Sequence, residues 1–175
     1  MALNSKFKKG LLLLPLFSLL LLLGCKVSYK FTGASIDYSV VKTITLETFQ
    51  NRAAYQWGPM AMMLNEKMSD VFIQQTKLTQ VNRGGDLQLA GEITSYDQIN
   101  KSISSDGYSA MVQLKMTVNV RFTNNKNHEE DFERTFSATR DYESSQQLET
   151  VQEELVTQMI AEIVDAIFNA AVANW

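Results

Sequence analysis

From Ser109 to Phe122 the chain alternates without interruption. Ala110, Val112, Leu114, Met116, Val118, Val120 and Phe122 occupy every second position, with Ser109, Met111, Gln113, Lys115, Thr117, Asn119 and Arg121 between them. Side chains of a strand point alternately to its two faces, so this pattern predicts a long strand with one apolar and one polar face. Such a strand belongs in an antiparallel sheet covered on one side only. At ~3.3 Å per residue it is about 45 Å long. Leu87, Leu89, Gly91 and Ile93, set against Gln88, Glu92 and Thr94, predict a second strand over 86–97. Phe132, Phe136 and Ala138 mark a third, ending near Asp141, with residues 123–130 as the hairpin loop before it. The β-branched run 39–49 predicts an opening strand with Val40, Ile44 and Leu46 on one face. Residues 77–82 have room for one more short strand before the break at Gly84-Gly85, and 98–107 form a polar link ending in the turn signal Asp106-Gly107.

Two segments carry helical spacing instead. Met60, Leu64, Met68, Val71, Phe72 and Gln75 predict a helix over 60–75, opened by Gly58-Pro59. Leu148, Val151, Leu155, Met159, Ile163 and Ile167 form an apolar stripe near the C-terminus, with Ser145 as the expected N-cap and Glu149 in the early turns. That helix is about 38 Å long at 1.5 Å per residue, close to the length of the long strand. The order is β-α-β-β-β-α. The expected fold is α+β, with two amphipathic helices packed on one face of a four-stranded, mostly antiparallel sheet. The other face, carrying Gln113, Lys115, Thr117 and Arg121, is left polar and open.

The first residues follow neither period. Residues 1–10 carry Lys6, Lys8 and Lys9, and residues 11–23 are an apolar run interrupted by Pro15. Thirteen helical residues reach about 20 Å, short of a ~30 Å hydrocarbon core. This is the geometry of a signal peptide rather than of a permanent span. The run ends in Leu22-Leu23-Gly24-Cys25, which resembles a bacterial lipobox. On that reading residues 1–24 are removed, and Cys25 receives a diacylglycerol and a further acyl chain such as palmitate. Residues 25–175 then form one domain, with 25–38 as its tether. Two or three acyl chains hold a protein to a bilayer far better than one. No Asp follows Cys25, and no acidic run follows it either, which favours the periplasmic face of an outer membrane over inner-membrane retention.

Composition narrows the chemistry. The chain has 16 Lys and Arg against 19 Asp and Glu. Three of the lysines precede the apolar run, so residues 25–175 carry 13 against 19, a net of −6. A domain this acidic has no general drive toward nucleic acid. The only cysteine is Cys25, which rules out an internal disulfide and a cysteine zinc cluster, and the only histidine is His128. No phosphate loop, nucleophile elbow or metal motif occurs, so no cofactor and no catalysis are expected. His128 beside Glu129, Glu130 and Asp131 reads as a solvated turn. Met60, Met62, Met63 and Met68 read as a helix packing face. Tyr55 and Trp57 are either binding aromatics or a lid on the core. The residues with most to offer are Lys101, Lys115 and Arg121. Lys115 and Arg121 lie six residues apart on the polar strand face, about 20 Å, a spacing that suits the phosphates of a glycolipid.

Several stretches together resemble one family. They are Tyr29-Lys30-Phe31-Thr32-Gly33-Ala34-Ser35-Ile36, Gly85 to Ile93, Arg121-Phe122-Thr123-Asn124, Asp131-Phe132-Glu133, Ile167-Phe168-Asn169 and Ala173-Asn174-Trp175. In order and spacing they are similar to the LptE family of lipopolysaccharide-assembly lipoproteins, in its Bacteroidetes-type form. The resemblance implies two helices on a four-stranded sheet. It also implies a non-catalytic role as plug and assembly partner of a large outer-membrane β-barrel, LptD, that places lipopolysaccharide in the outer leaflet. Lipopolysaccharide binding by basic residues is implied as well, with Lys101, Lys115 and Arg121 the candidates here. The alternatives are an accessory lipoprotein of another envelope lipid or ABC-type transporter, and an envelope hydrolase, for which the sequence offers no nucleophile with a base.

Overall fold

A computed structural model describes residues 36–101 and 111–173. Cys25, the signal segment and the tether up to residue 35 lie outside them, as does Ala110 of the long strand. In chain order the elements are β1 (Thr43–Leu46), β2 (Gln50–Asn51), α1 (Met60–Gln75), β3 (Thr79–Gln80), β4 (Leu87–Asn100), β5 (Met111–Asn124), β6 (Phe132–Glu143) and α2 (Leu148–Phe168). A 3₁₀ turn at His128–Glu130 precedes β6, and a π turn at Asn169–Ala173 follows α2.

The alternation on β5 is realised in full across the described residues. Every even position from Val112 to Asn124 is buried, and every odd one is half-buried or exposed. Antiparallel pairing with β4 and β6 runs the whole length of the strand, from Leu87↔Asn124 to Asn100↔Val112 on one side and from Met111↔Glu143 to Phe122↔Phe132 on the other. Both helices lie on the apolar face, which keeps Val118, Val120, Leu114 and Met116 out of water.

The sheet is larger and more mixed than the four-stranded, mostly antiparallel expectation. It has six strands in the order β3-β1-β4-β5-β6, with β2 also beside β4. Pairings β1–β3, β1–β4 and β2–β4 are parallel. The predicted strand over 39–49 breaks in two along one edge of β4. Leu46 sits opposite Leu89 and Gln50 opposite Glu92, so the outer chain uses one more residue than β4 over the same distance. The surplus turns Phe49 into the core. Its ring edge packs where a Cβ on Gly91 would stand, 2.5 Å from Phe49 Cε1, and Asn119 O crowds the same point. Val40 falls in the preceding turn and is half-exposed, not on a strand face with Ile44.

β4 holds a second irregularity. Its register against β5 shifts between Ile93 and Ser95, so Thr94 is an extra residue. Without the bulge, Ser95 and Asp97 would follow Ile93 inward. With it Tyr96 points in and is buried, its hydroxyl accepting from Gln152 Nε2 at 2.9 Å. Burial pushes the Tyr96 phenol up to about 12.

α1 matches its predicted span. α2 starts later than Ser145: Gln147 stands at its cap position without a side-chain bond, and the Ser145 hydroxyl donates to Glu143 instead. A turn closed by Gln146 N–H on Glu143 O occupies the chain there. Its buried stripe is Leu148, Gln152, Val156, Met159, Ile160, Ile163, Val164 and Ile167, with Val151 and Leu155 at the margin. Residues Leu148–Val172 are long and apolar enough to cross a bilayer by composition. Here the apolar stripe is covered by the sheet and α1, and Glu149, Glu153, Glu154, Glu162 and Asp165 face outward.

Candidate functional site

The even–odd division of β5 also decides what the open face carries. Odd residues of β5 stand beside Gln88, Ala90, Glu92, Ser95, Asp97 and Ile99 of β4, and beside Glu133, Thr135, Ser137, Thr139, Asp141 and Glu143 of β6. The face is mostly polar, with no helix over it among the described residues.

All three candidate cations are on or beside this face, and two are already engaged. Lys101 Nζ lies 2.7 Å from Asp141 Oδ2, and Asp141 Oδ1 accepts from Gln113 Nε2 at 3.1 Å. The Lys101 contact, first of several, holds the Asp141 carboxyl below its ordinary range. Arg121 Nη2 and Nε both reach Glu133 Oε2 at 3.3 Å. Glu133 is likewise held low, by the Asn119 amide first and Arg121 next. Lys115 stands between Asp97 and Thr139 in register and makes no ion pair among the described residues. A shallow cavity of about 290 Å³ adjoins Arg121, lined also by Glu47, Ala90, Glu92, Asn119 and Glu133. Glu92, Asp97, Glu133 and Asp141 outnumber the three cations, and an anion meeting Lys101 or Arg121 displaces an internal pair as it binds.

Other sequence candidates resolve into framework. His128 is largely exposed, with Nδ1 2.9 Å from Asp131 Oδ2. Asp131 also accepts from Asn124 N–H at 2.7 Å, and buried Asn124 holds the Glu130 carboxylate. This network folds the β5–β6 hairpin. No cluster of three His, Cys, Asp or Glu suited to a metal occurs among the described residues. Met60 and Met68 are buried, Met63 is half-buried and Met62 is exposed. Trp57 packs against the core, and Tyr55 stacks on Tyr96 with centroids 5.6 Å apart, so these aromatics cover the core's end.

Asp86 was not singled out by its spacing. Its carboxylate accepts the N–H of Lys42 at 2.8 Å, the N–H and hydroxyl of Thr43 at 3.0 Å, and the Lys126 ammonium at 2.9 Å. Those donors, Lys42 N–H first, hold it far below the usual carboxylate range. The partners lie about forty residues away on either side, so only the fold assembles them.

The family model for LptE, lipopolysaccharide-assembly, matches residues 41–171. The chain belongs to the LptE family. That span runs from just before β1 through α2 and takes in the whole sheet. The family is one of non-catalytic lipoproteins, which places this LptE-family chain among the lipopolysaccharide-assembly lipoproteins of the bacterial envelope. No curated protein matches the sequence. Among solved structures, a Xanthomonas campestris protein is similar at TM-score 0.50 and 16% identity, over 74% of this chain and 85% of that one. A minor lipoprotein from Acinetobacter baumannii aligns at TM-score 0.49 and 18% identity, covering 73% and 90%. The rare lipoprotein B of Shewanella oneidensis aligns at 0.47 and 15%, covering 74% and 92%.

Proposed function

We propose that this LptE-family chain is anchored through Cys25 on the periplasmic side of the outer membrane. There it serves as the non-catalytic partner and plug of an LptD-type β-barrel that delivers lipopolysaccharide to the outer leaflet. The observation that carries this reading is the family match across residues 41–171. The surface supports it. A hydroxyl-rich sheet face, with Lys101 and Arg121 already paired to Asp141 and Glu133, suits packing against a polar barrel wall, because those ions keep a partner when stripped of water. The sequence supports the anchor, since the single cysteine sits where lipobox processing requires it.

Lipopolysaccharide is the second partner in this reading. Lys101, Lys115 and Arg121 are its proposed contacts, with Lys115 the one that has no ion pair among the described residues to give up on meeting a phosphate.

The deciding experiment is gentle solubilisation of outer membrane, capture by a tag after Trp175, and mass spectrometry of what accompanies the chain. A large β-barrel in near-equal amount is expected. A preparation containing periplasmic transport components and no barrel would replace this reading with that of an accessory transport lipoprotein.

A further inference from the structure

The two edges of the sheet are unlike. One ends in β3, two residues long, and the edge of β4 is occupied by the short pieces β1 and β2. The other is β6, which follows β5 for its full length with no register shift and no proline. No described strand lies beyond it.

Which backbone groups this edge offers follows from the register. Lys101 N–H donates to Met111 O, and Asn125 N–H donates to Asp86 O, so odd residues of β5 hydrogen-bond toward β4. Even residues of β5 then bond toward β6, where their partners are also even. The odd residues Glu133, Thr135, Ser137, Thr139 and Asp141 therefore aim their N–H and C=O groups away from the sheet. The upper end is partly closed, because Arg140 Nη1 donates to Thr139 O at 2.7 Å and Gln146 N–H to Glu143 O at 2.9 Å. Between Glu133 and Ser137 nothing among the described residues closes it. Thr135, Ser137 and Thr139 are exposed, small and neutral, a β-prone stretch without the charges that usually guard an edge.

Charge decides between a second copy and a foreign strand. Antiparallel pairing of two β6 edges requires odd residues opposite odd ones. The two longest such registers centre on Ser137 and on Ala138. The first sets Arg134 opposite Arg140 and Glu133 opposite Asp141, each twice; the second sets Glu133 opposite Glu143 twice. Like charges directly opposite are destabilising. The edge is thus defended against its own copy and open to a different one.

We propose that β6 is a docking edge that receives an extended strand from another polypeptide of the envelope assembly, centred on Thr135–Ser137. The proposal rests on the reading of this chain as a subunit of such an assembly. Main-chain hydrogen bonds supply the affinity. A strand with an acidic side chain opposite Arg134 and a basic one opposite Glu133 matches the edge best.

The test is amide hydrogen exchange at residue resolution. The full chain captured from gently solubilised outer membrane, with whatever stays bound, is compared with the same chain stripped of partners. The outward amides of Thr135 and Ser137 are expected to exchange about tenfold or more slowly in the captured sample. Ser137→Pro removes an outward N–H but no ladder bond, so the fold should persist while bound chains are lost; Ser137→Ala should retain them. Equal exchange in the two samples overturns the proposal, as does a second copy of this chain as the sole bound polypeptide. A barrel present with unprotected amides overturns the docking edge alone. Protection without a barrel overturns the barrel reading alone.

Discussion

Asp86 ties three segments together: it caps the start of β1 at Lys42 and Thr43, opens β4, and pairs with Lys126 in the β5–β6 loop. Its carboxyl is held below its unfolded value, so the unfolded chain binds the proton more readily. The stability it contributes is present above about pH 4 and is lost as pH falls through and below that value. Glu133 and Asp141 shift the same way and add to the acid sensitivity. Asp86→Asn is expected to cost about 1.5–3 kcal/mol at neutral pH, the range for hydrogen bonds to a charged group. The difference from the native chain should narrow as pH falls below about 4, where the unfolded native chain takes up a proton that folded Asp86 does not. Thermal melting of both proteins across that range checks this, and a constant difference would clear Asp86 as the acid-sensitive group. Gly91 makes a second prediction. Gly91→Val sets branched carbons against the Phe49 ring and Asn119 O, and is expected to lower stability by about 1–3 kcal/mol or more. Chemical denaturation measures it, and an unchanged midpoint would mean that the Phe49 turn gives way freely.

Among the elements, β4 departs most from its sequence pattern. Its alternation is sound from Leu87 to Ile93 and then slips by one, because Thr94 is bulged. The slip brings Tyr96 to Gln152 on α2. Pairing on both sides of Thr94 is regular, so deleting it leaves every cross-strand partner and every inward side chain unchanged. The prediction is a folded protein with its melting temperature within a few degrees of the native one. By contrast, deleting Gln88 would reverse the facing of the residues on one side of it and should prevent folding. Circular dichroism with thermal melting separates the two; if loss of Thr94 also unfolds the domain, the local twist at the bulge is what matters. The edge strand β6 shows the limits of pattern in another way. Its alternation of Phe132, Phe136 and Ala138 announces a strand, yet only pairing with β5 shows which N–H groups it leaves unused.

For the whole molecule, the open face is polar because the helices cover only one side of the sheet, and it leans acidic because Glu92, Asp97, Glu133 and Asp141 outnumber Lys101, Lys115 and Arg121. If that face binds lipopolysaccharide phosphates, the double substitution Lys115→Glu with Arg121→Glu should weaken binding by roughly tenfold or more, on the scale of charge-assisted hydrogen bonds. Melting should fall only modestly, since the substitutions set acids opposite Asp97 and Glu133 but on a solvent-exposed face. Binding of purified lipopolysaccharide by the folded variant is the measurement, and undiminished binding would remove this face from that role.

The sequence by itself determined both helices as elements, the three long strands and the side of β5 that faces the core, since burial of a regular apolar period depends only on local geometry and water. It pointed to the family as well, through stretches of which those from Gly85 to Asn169 lie inside the match over 41–171. The break of the first strand at Phe49, the parallel pairing of β1 and β2 with β4, the extra residue at Thr94 and the Asp86 junction were decided only in the tertiary structure. Each depends on groups some fifteen to sixty residues apart meeting across the sheet. The same holds for the candidate site: Lys101, Lys115 and Arg121 are legible as cations on or near one face, but their neighbours Asp97, Glu133 and Asp141 come from other strands. Strand register sets those neighbours, and register follows from the packing of the whole apolar face at once, not from any one segment.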